Sequence, residues 1–217
     1  MAGGTALPVF SPPFDEQTRE TASGRLRIAG VLLAAGTSSR FGERNKLLAT
    51  HDGDAIVRHA AQTLLDAGLG PVVVVVGHEA ERVMAALDGL DVVFVTNEAY
   101  ASGQASSVRA GVRAVLEEAP PVDAAGIALG DMPFVSPDTV ETLVDAYAAE
   151  VGDALAAAYD GVRGNPVLFD HRFFDDLAGV SGDVGGKQIL LESGASACIE
   201  VADPGVRRDV DEPTDLD

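Results

Sequence analysis

The stretch from residue 36 to residue 46 reads GTSSRFGERNK and combines glycines with cations, among them Arg40 and Lys46. Glycine lets backbone N–H groups come close to a ligand, so a loop of this kind with cations beside it is a candidate anion-binding site. An ordinary turn between a strand and a helix would have a similar composition. The loop alone leaves both interpretations open, and the rest of the chain has to decide between them.

Carboxylates follow two other apolar segments of the chain. Asp131 follows a short segment that ends at Leu129, and Asp209 and Asp211 follow another that ends at Val201. In an open α/β sheet, ligands bind at the carboxyl ends of the strands, so these side chains are placed to meet the loop. With Mg²⁺ held by the carboxylates, the combination becomes a site for a nucleoside triphosphate.

Each of these residues also has a plain structural interpretation. Lys46 could be a solvated lysine at the start of a helix. Asp131 could cap a turn before Pro133. Asp209 and Asp211 could be part of an acidic tail.

The elements that must position these residues alternate between strands and helices. The apolar runs that predict buried strands are residues 28–35, 72–76, 92–95, 127–129, 154–159, 166–169 and 199–201. Helical spacing predicts helices over residues 54–67, 79–87 and 106–118, and Ser136-Pro137 begins another. This alternation predicts an α/β fold with a mostly parallel sheet and helices on both faces.

The length of 217 residues fits one α/β domain with a sizeable core. Residues 1–25 are rich in Gly, Pro, Ser, Thr and charges without a period, which predicts a flexible N-terminal leader before a single domain over residues 26–217. No run of 18 apolar residues and no secretion signal occur, so we expect a cytoplasmic protein without a membrane partner.

The formal net charge is −19, with 34 acidic and 15 basic residues, which disfavours nucleic acid as a partner. Only two of the basic residues are lysines, Lys46 and Lys187. An acidic surface poor in lysine is typical of a protein kept soluble in concentrated salt, where self-repulsion is screened. We therefore expect a halophilic protein.

Several other site classes are disfavoured. The four histidines show no spacing suited to zinc. The segment SGDVGGKQ over residues 181–188 lacks the first glycine and the closing hydroxyl of a P-loop. No G-x-G-x-x-G follows the first strand, which argues against dinucleotide oxidoreduction.

The segment LAAGTSSRFGERNK resembles the signature loop of the nucleotidyltransferases related to the molybdenum cofactor cytidylyl- and guanylyltransferases. Later segments are similar to that family's motifs in the same order, and the resemblance covers roughly residues 28–217. They are Asn97 with GQASS over residues 103–107, LGDMP over 129–133, YDGVRGNPVLF over 159–169, SGDVGG over 181–186 and DVDEPTDL over 209–216. The ordered set is specific although each piece is weak.

The resemblance implies a Rossmann-like sheet of the nucleotide-diphospho-sugar-transferase type. It also implies transfer of a nucleoside monophosphate from a triphosphate to a phosphorylated acceptor, with release of pyrophosphate. Arg40, Lys46 and Asp131 would be catalytic, with Mg²⁺ held by Asp131 and by Asp211, for which Asp209 competes. The implied nucleotide-binding residues are Leu33, Ala34, Ala35, Gly36, Arg40, Lys46, Asn97, Gly103, Ser107, Gly130 and Asp131. The implied acceptor-binding residues are Arg163, Gly164, Asn165, Asp183 and Lys187.

The nucleotide is expected to be CTP, because in this family LAAG in the first loop goes with cytidylyl transfer and LAGG with guanylyl transfer. The methyl of Ala35 would narrow the pocket, although one methyl gives only about 1–3 kcal/mol of discrimination. The expected acceptor is the molybdopterin cofactor, and the resemblance implies a molybdoenzyme or its chaperone as a partner. Two alternatives stay open: a guanylyltransferase acting on that cofactor or on a small phosphorylated acid, and a non-catalytic nucleotide-binding protein that delivers a cofactor or regulates an enzyme.

Overall fold

A computed structural model gives the architecture of residues 7–14, 26–37, 41, 45–117, 121–180 and 186–216. Ten strands lie in these described ranges. They are β1 (Val9–Phe10), β2 (Ile28–Ala34), β3 (Thr50–His51), β4 (Asp54–Ala55), β5 (Val72–Val76), β6 (Val93–Thr96), β7 (Ala124–Leu129), β8 (Ala154–Tyr159), β9 (Val162–Asp170) and β10 (Ser196–Glu200).

Eight of the described strands form one sheet in the order β1-β10-β8-β9-β7-β2-β5-β6, and β3 and β4 form a separate hairpin. Strand β9 pairs antiparallel with both β7 and β8, and the other pairs described in the large sheet are parallel. The predicted α/β fold with a mostly parallel sheet is therefore confirmed.

Six α-helices and five short 3₁₀ helices lie in the described part of the chain. The α-helices are α1 (Ile56–Asp66), α2 (Ala80–Ala86), α3 (Gln104–Glu117), α4 (Pro137–Ala148), α5 (Phe174–Gly179) and α6 (Lys187–Glu192). The 3₁₀ helices are Lys46–Leu48, Tyr100–Ser102, His171–Phe173, Pro204–Arg207 and Pro213–Leu216. Within these residues, no helix has both the length and the apolar character needed to cross a membrane.

The helices cover both faces of the sheet, and a buried hydrophobic cluster lies on each face. One cluster contains residues of α1, α2 and α4, and the other contains residues of α3, α5 and α6. Strand β5 is buried along its whole length, which is why its sequence is five valines without alternation. The prediction of this strand at residues 72–76 is confirmed to the residue.

The strand order reverses at β2. From β2 the chain proceeds to β5 and β6 on one side, and helix α3 then carries it back to β7 on the other side. A reversal of this kind leaves a crevice at the carboxyl ends of the two central strands. Gly36 and Thr37 after β2, Lys46, and the turn after β7 all lie at that crevice, so the fold brings Lys46 of the predicted anion-binding loop to Asp131.

The interpretation of residues 1–25 as one flexible leader is wrong at Val9–Phe10. These two residues form β1, which pairs with β10, and the N–H of Cys198 donates to the carbonyl of Pro8 at 2.8 Å. The open edge of β10 offers backbone groups that a short extended segment satisfies. Two apolar residues between prolines are too short to show a period, so the pattern did not indicate a strand.

Candidate active site

Lys46 is held at the carboxyl end of β2 by the 3₁₀ helix that it begins. The side chain of Asn45 caps this turn by accepting a hydrogen bond from the N–H of Leu47 at 3.1 Å. Leu47 itself is buried in the core. With its backbone fixed on both sides, Lys46 extends its side chain toward the end of β7.

Asp131 lies in a tight turn that is fastened to the end of β2. The N–H of Gly130 donates to the carbonyl of Leu33 at 2.9 Å, and the N–H of Met132 donates back to Leu129 at 3.2 Å. Gly130 allows this approach, because a Cβ there would lie 3.1 Å from the Leu33 carbonyl oxygen. The turn therefore directs the Asp131 carboxylate toward Lys46.

Asp211 reaches the same point from the C-terminal segment. The N–H of Val210, which is fully buried, donates to the carbonyl of Asp131 at 2.9 Å. The Asp215 carboxylate accepts hydrogen bonds from the N–H groups of Asp211 and Glu212, and these bonds lower the pKa of Asp215 below its ordinary value. Asp209 is exposed on the other side of Val210.

The ammonium of Lys46 lies between two carboxylates. Its Nζ is 2.6 Å from Oδ2 of Asp131 and 2.9 Å from Oδ1 of Asp211. Burial of the Lys46 side chain, which is 15% exposed, acts to lower its pKa, but the two carboxylates outweigh burial and raise the pKa above 10.5. Lys46 therefore carries its full charge at neutral pH, and of the two competing aspartates Asp211 is the one that contacts it.

A cleft of about 690 Å³ opens in front of this ion-pair cluster. Gly36 and Thr37, just after β2, lie on one wall, and the other wall is the turn that leads into α3. Gly103 begins that wall with φ = 102°, a backbone conformation that side chains disfavour. The lining residues that the motifs had indicated are Leu33, Ala35, Gly36, Lys46, Gly103, Ser107 and Asp131.

Three residues predicted to bind nucleotide lie behind the cleft rather than on its surface. Ala34 is 1% exposed and faces the opposite side of the sheet from Leu33 and Ala35, because successive strand residues alternate. Gly130 packs against Ala34 and the backbone of Leu33. Asn97 is 6% exposed, and its amide bonds to Ser106 and Ser107. Their predicted direct contact with a nucleotide is therefore not supported by their positions.

A second cleft of about 420 Å³ adjoins the first. Leu33, Gln104 and Leu129 line both clefts, so the two are continuous. Its floor is apolar and its remaining wall is polar. The predicted acceptor residues that line it are Arg163, Gly164, Asn165 and Lys187.

Gly164 has a packing role in addition to its place on the cleft. A Cβ at this position would lie 2.1 Å from the carbonyl oxygen of Val206, so the strand can approach the 3₁₀ helix Pro204–Arg207 only with glycine here. The sequence motif indicated the glycine, but only the structure shows which backbone it meets.

Two predicted site residues, Arg40 and Asp183, lie outside the described residues. Other lining residues were not predicted as site residues. Tyr100 and Ser102 lie in the 3₁₀ helix before α3, Gln104 is the first residue of α3, and Thr37 lies just after β2. Gln104 stood inside a quoted motif, but a search for residues directly after strands does not select the start of a helix.

The donor set fits a divalent cation that takes its remaining ligands from a substrate. Asp131 and Asp211 direct carboxylate oxygens to one point, and carboxylate oxygen is the ligand that Mg²⁺ prefers. In the described ranges, no group of three or more His, Cys, Asp or Glu side chains is arranged to hold a metal by itself. Two carboxylates plus phosphate oxygens are the usual combination for Mg²⁺ at a nucleotide.

Comparison with known proteins identifies the family of this chain and several relatives. Residues 30–197 match the model of the MobA-like NTP transferase domain family. The chain is 33% identical over 193 residues to a nicotine blue oxidoreductase of Paenarthrobacter nicotinovorans, covering 85% of this chain and 92% of that protein. It is 32% identical over 116 residues to a probable molybdenum cofactor guanylyltransferase of Natronomonas pharaonis, covering 54% of this chain and 55% of that protein.

Solved structures share the fold. Rv0371c of Mycobacterium tuberculosis H37Rv superposes with a TM-score of 0.71 at 30% identity, over 87% of this chain and 95% of that one. A complex of the same protein with manganese gives a TM-score of 0.68 at 29% identity, over 87% and 95% of the two chains. A nucleotidyl transferase from Methanothermobacter gives 0.72 at 25% identity, over 87% and 94%.

Proposed function

Because the chain belongs to the MobA-like NTP transferase family and is a nucleotidyltransferase of it, we propose that it transfers CMP from CTP to a phosphorylated small molecule. The observation that carries this proposal is the position of Lys46. Its ammonium contacts Asp131 and Asp211 at the end of one cleft, and a second cleft adjoins the first.

The two clefts suit the two substrates of such a reaction. The triphosphate lies in the first cleft with its phosphates toward Lys46, and the acceptor lies in the second. An oxygen of the acceptor attacks the α-phosphorus, the bond to the β-phosphate breaks, and pyrophosphate leaves. Such a transfer depends on in-line positioning and on neutralising the charge of the phosphoryl oxygens, so no acid–base pair is needed.

The residues divide this work between charge and position. Lys46 supplies a positive charge to the phosphates, and Gly36, which lines the same cleft, would offer its backbone N–H. Asp131 and Asp211 would hold Mg²⁺, which neutralises phosphate charge when bound. The manganese complex of the M. tuberculosis protein supports a divalent metal in this fold. Arg40 would add a second cation.

The preference for CTP rests on the LAAG motif over residues 33–36. In the structure Ala35 lies at the cleft wall, and its methyl packs against Gly77. A Cβ added to Gly77 would lie 2.9 Å from the Ala35 methyl. The guanylyltransferase from N. pharaonis supports GTP as the alternative nucleotide. Both nucleotides therefore belong in the first test.

The second cleft favours an acceptor that is partly apolar and carries negative charge. Ile127, Val167 and Phe169 line its floor, while Arg163 and Lys187 supply cations. A phosphorylated pterin such as the molybdopterin cofactor has this combination of properties and is our proposed acceptor. A molybdoenzyme or its chaperone would then receive the product.

The test is a thermal-shift panel of CTP, GTP, ATP and UTP, each with and without Mg²⁺, followed by pyrophosphate release with molybdopterin. A nucleotide present at 100 times its Kd adds about 2.7 kcal/mol of stability. We expect a Mg²⁺-dependent shift with CTP and pyrophosphate release only when the acceptor is present. A shift with GTP alone would transfer the proposal to guanylyl transfer. Binding without any pyrophosphate release would favour the non-catalytic delivery protein.

The similarity to nicotine blue oxidoreductase favours a second candidate activity, oxidoreduction of nicotine blue or a similar compound bound in the second cleft. The two activities are distinguished by their co-substrates. Oxidation of NADH or NADPH in the presence of an aromatic dye, without a nucleoside triphosphate, would support the reductase. Pyrophosphate release without nicotinamide oxidation would support the transferase.

A further inference from the structure

Three buried polar side chains form a hydrogen-bonded group behind the first cleft. Asn97 follows β6, and Ser106 and Ser107 lie in the first turn of α3; their exposures are 6%, 4% and 6%. The Nδ2 of Asn97 donates to Oγ of Ser106 at 2.8 Å and to Oγ of Ser107 at 3.0 Å. This amide therefore ties the end of β6 to the helix that lines the cleft.

The orientation of the Asn97 amide is fixed by its other end. Its Oδ1 accepts the backbone N–H of Ala99 at 3.0 Å. A backbone N–H can only donate, so the atom that it contacts must be the amide oxygen. Consequently Nδ2 must face the serines, and both serine oxygens act as acceptors toward Asn97.

The two serines differ in where their own protons go. Ser106 donates its hydroxyl proton to the carbonyl of Gly103 at 2.8 Å, so its hydrogen-bonding capacity is used inside the protein. The hydroxyl proton of Ser107 has no acceptor among the residues that the structure describes, and Ser107 lines the cleft. A buried hydroxyl donor normally has a partner, so the partner of Ser107 is expected in the cleft.

We infer that Asn97 is a positioning residue that fixes Ser107 as a hydrogen-bond donor to the nucleoside part of the bound nucleotide. This inference rests on the proposed function. The charged end of the cleft lies at Lys46 and Asp131, and the α3 wall that carries Ser107 faces the nucleoside. The bond from Asn97 occupies one lone pair of the Ser107 hydroxyl and keeps its proton from turning back toward the amide. The proton is thereby presented to an acceptor atom in the cleft, such as a base carbonyl.

The test compares two adjacent serines by titration with Mg²⁺-CTP, and with Mg²⁺-GTP if CTP does not bind. For Ser107→Ala we expect the nucleotide Kd to rise about tenfold. For Ser106→Ala we expect a Kd within about twofold of the parent and a larger drop in the melting temperature of the free protein, because this variant also loses the bond to Gly103. Equal Kd values for both variants and the parent would overturn the inference.

A second variant tests the role of Asn97 itself. A carboxylate accepts from both serines, so Asn97→Asp turns the Ser107 proton away from the cleft and should weaken binding about as much as Ser107→Ala. Combined with Ser107→Ala it should cause no further loss of affinity, whereas independent effects would multiply and contradict the inference. If Asn97→Asp does not fold, the nucleotide Kd values of Ser107→Ala and Ser106→Ala still decide whether the Ser107 hydroxyl binds the nucleotide. If the parent binds neither nucleotide, the proposed function fails before this inference is reached.

Discussion

At the scale of single residues, the candidate site depends on one ammonium held between two carboxylates. The contacts of Lys46 with Asp131 and Asp211 explain why a lysine stands in this loop, since its compact charge fits between them. The interpretation of Lys46 as a merely solvated lysine does not fit a side chain that is 15% exposed. Three predictions belong to this scale.

The first prediction concerns the charge of Lys46 in catalysis. Removing one electrostatic stabiliser of a developing negative charge costs about 10²–10³ in kcat. We expect Lys46→Ala to lower kcat for pyrophosphate release by this amount, measured with saturating nucleotide and acceptor. Lys46→Arg keeps the charge and should retain more activity. Unchanged pyrophosphate release in Lys46→Ala would remove Lys46 from the catalytic group.

The second prediction concerns pH. The folded-state pKa of Lys46 is raised above 10.5, so the ion pairs stabilise the fold fully below pH 10.5 and are lost as pH rises through the higher folded value. We expect the unfolding free energy of the parent to exceed that of Lys46→Met by on the order of 1–2 kcal/mol, between the exposed and buried limits for ion pairs. In urea titrations this difference should stay constant from pH 7 to pH 10 and shrink above pH 10.5. A difference that already shrinks below pH 9 would contradict the raised pKa.

The third prediction separates two neighbouring aspartates. Asp211 contacts Lys46 and Asp209 is exposed, so we propose Asp211 rather than Asp209 as the second metal ligand. We expect Asp211→Asn to raise the Mg²⁺ concentration for half-maximal nucleotide-induced thermal shift by about 10–100-fold. Asp209→Asn is the matched control and should leave it unchanged. The reverse result would assign the second ligand to Asp209.

At the scale of elements, the site depends on how closely α3 lies on the sheet, because this helix carries the wall of the first cleft. Gly111 makes the close contact possible. A Cβ at this position would lie 2.4 Å from Cγ1 of Val31 and 3.0 Å from Cγ2 of Val75. Strands β2 and β5 thus set the position of α3 through a residue without a side chain.

The prediction at this scale is that Gly111→Ala destabilises the protein although alanine favours helices. Overpacking of a core costs about 1–3 kcal/mol, which exceeds the gain of up to about 1 kcal/mol from helix propensity. Gly179→Ala at the end of α5, where a Cβ meets no atom within 4 Å, is the control and should change stability little. Chemical denaturation measures both variants. A stabilised Gly111→Ala would mean that α3 lies farther from the sheet.

At the scale of the whole molecule, the dominant feature is the net charge of −19. Like charges on one surface repel, and salt screens them with a Debye length of about 10 Å at 0.1 M and about 3 Å at 1 M. The proposal of a halophilic protein follows from this balance and has a direct thermal test.

We expect the melting temperature to rise with KCl between 0.05 M and 2 M. For a chain of this size, each kcal/mol gained corresponds to roughly 2–4 °C. Differential scanning fluorimetry at fixed pH gives the result. Sucrose, which strengthens burial without screening charge, is the control for non-ionic stabilisation. A flat melting temperature in KCl would reject the halophilic proposal.

The sequence by itself determined the fold class and most of the central strands. Runs of apolar residues report burial directly, and β5 shows this most clearly because both of its faces are covered. The small elements were missed because they are too short to show a periodic pattern of apolar residues. Strands β1, β3 and β4 have two residues each, and helices α5 and α6 have six residues each.

For the candidate site, the sequence indicated Lys46 and Asp131, which the structure brings into contact, because residue types after strands can be read in order along the chain. Only the tertiary structure decided that Asp211 rather than Asp209 faces Lys46, since the choice depends on the hydrogen bond between Val210 and Asp131. It also decided that Asn97 lies behind Ser107, because the partners of a buried amide come from another element. A sequence lists the groups that chemistry requires, whereas distance and orientation arise only when elements far apart in the chain pack together.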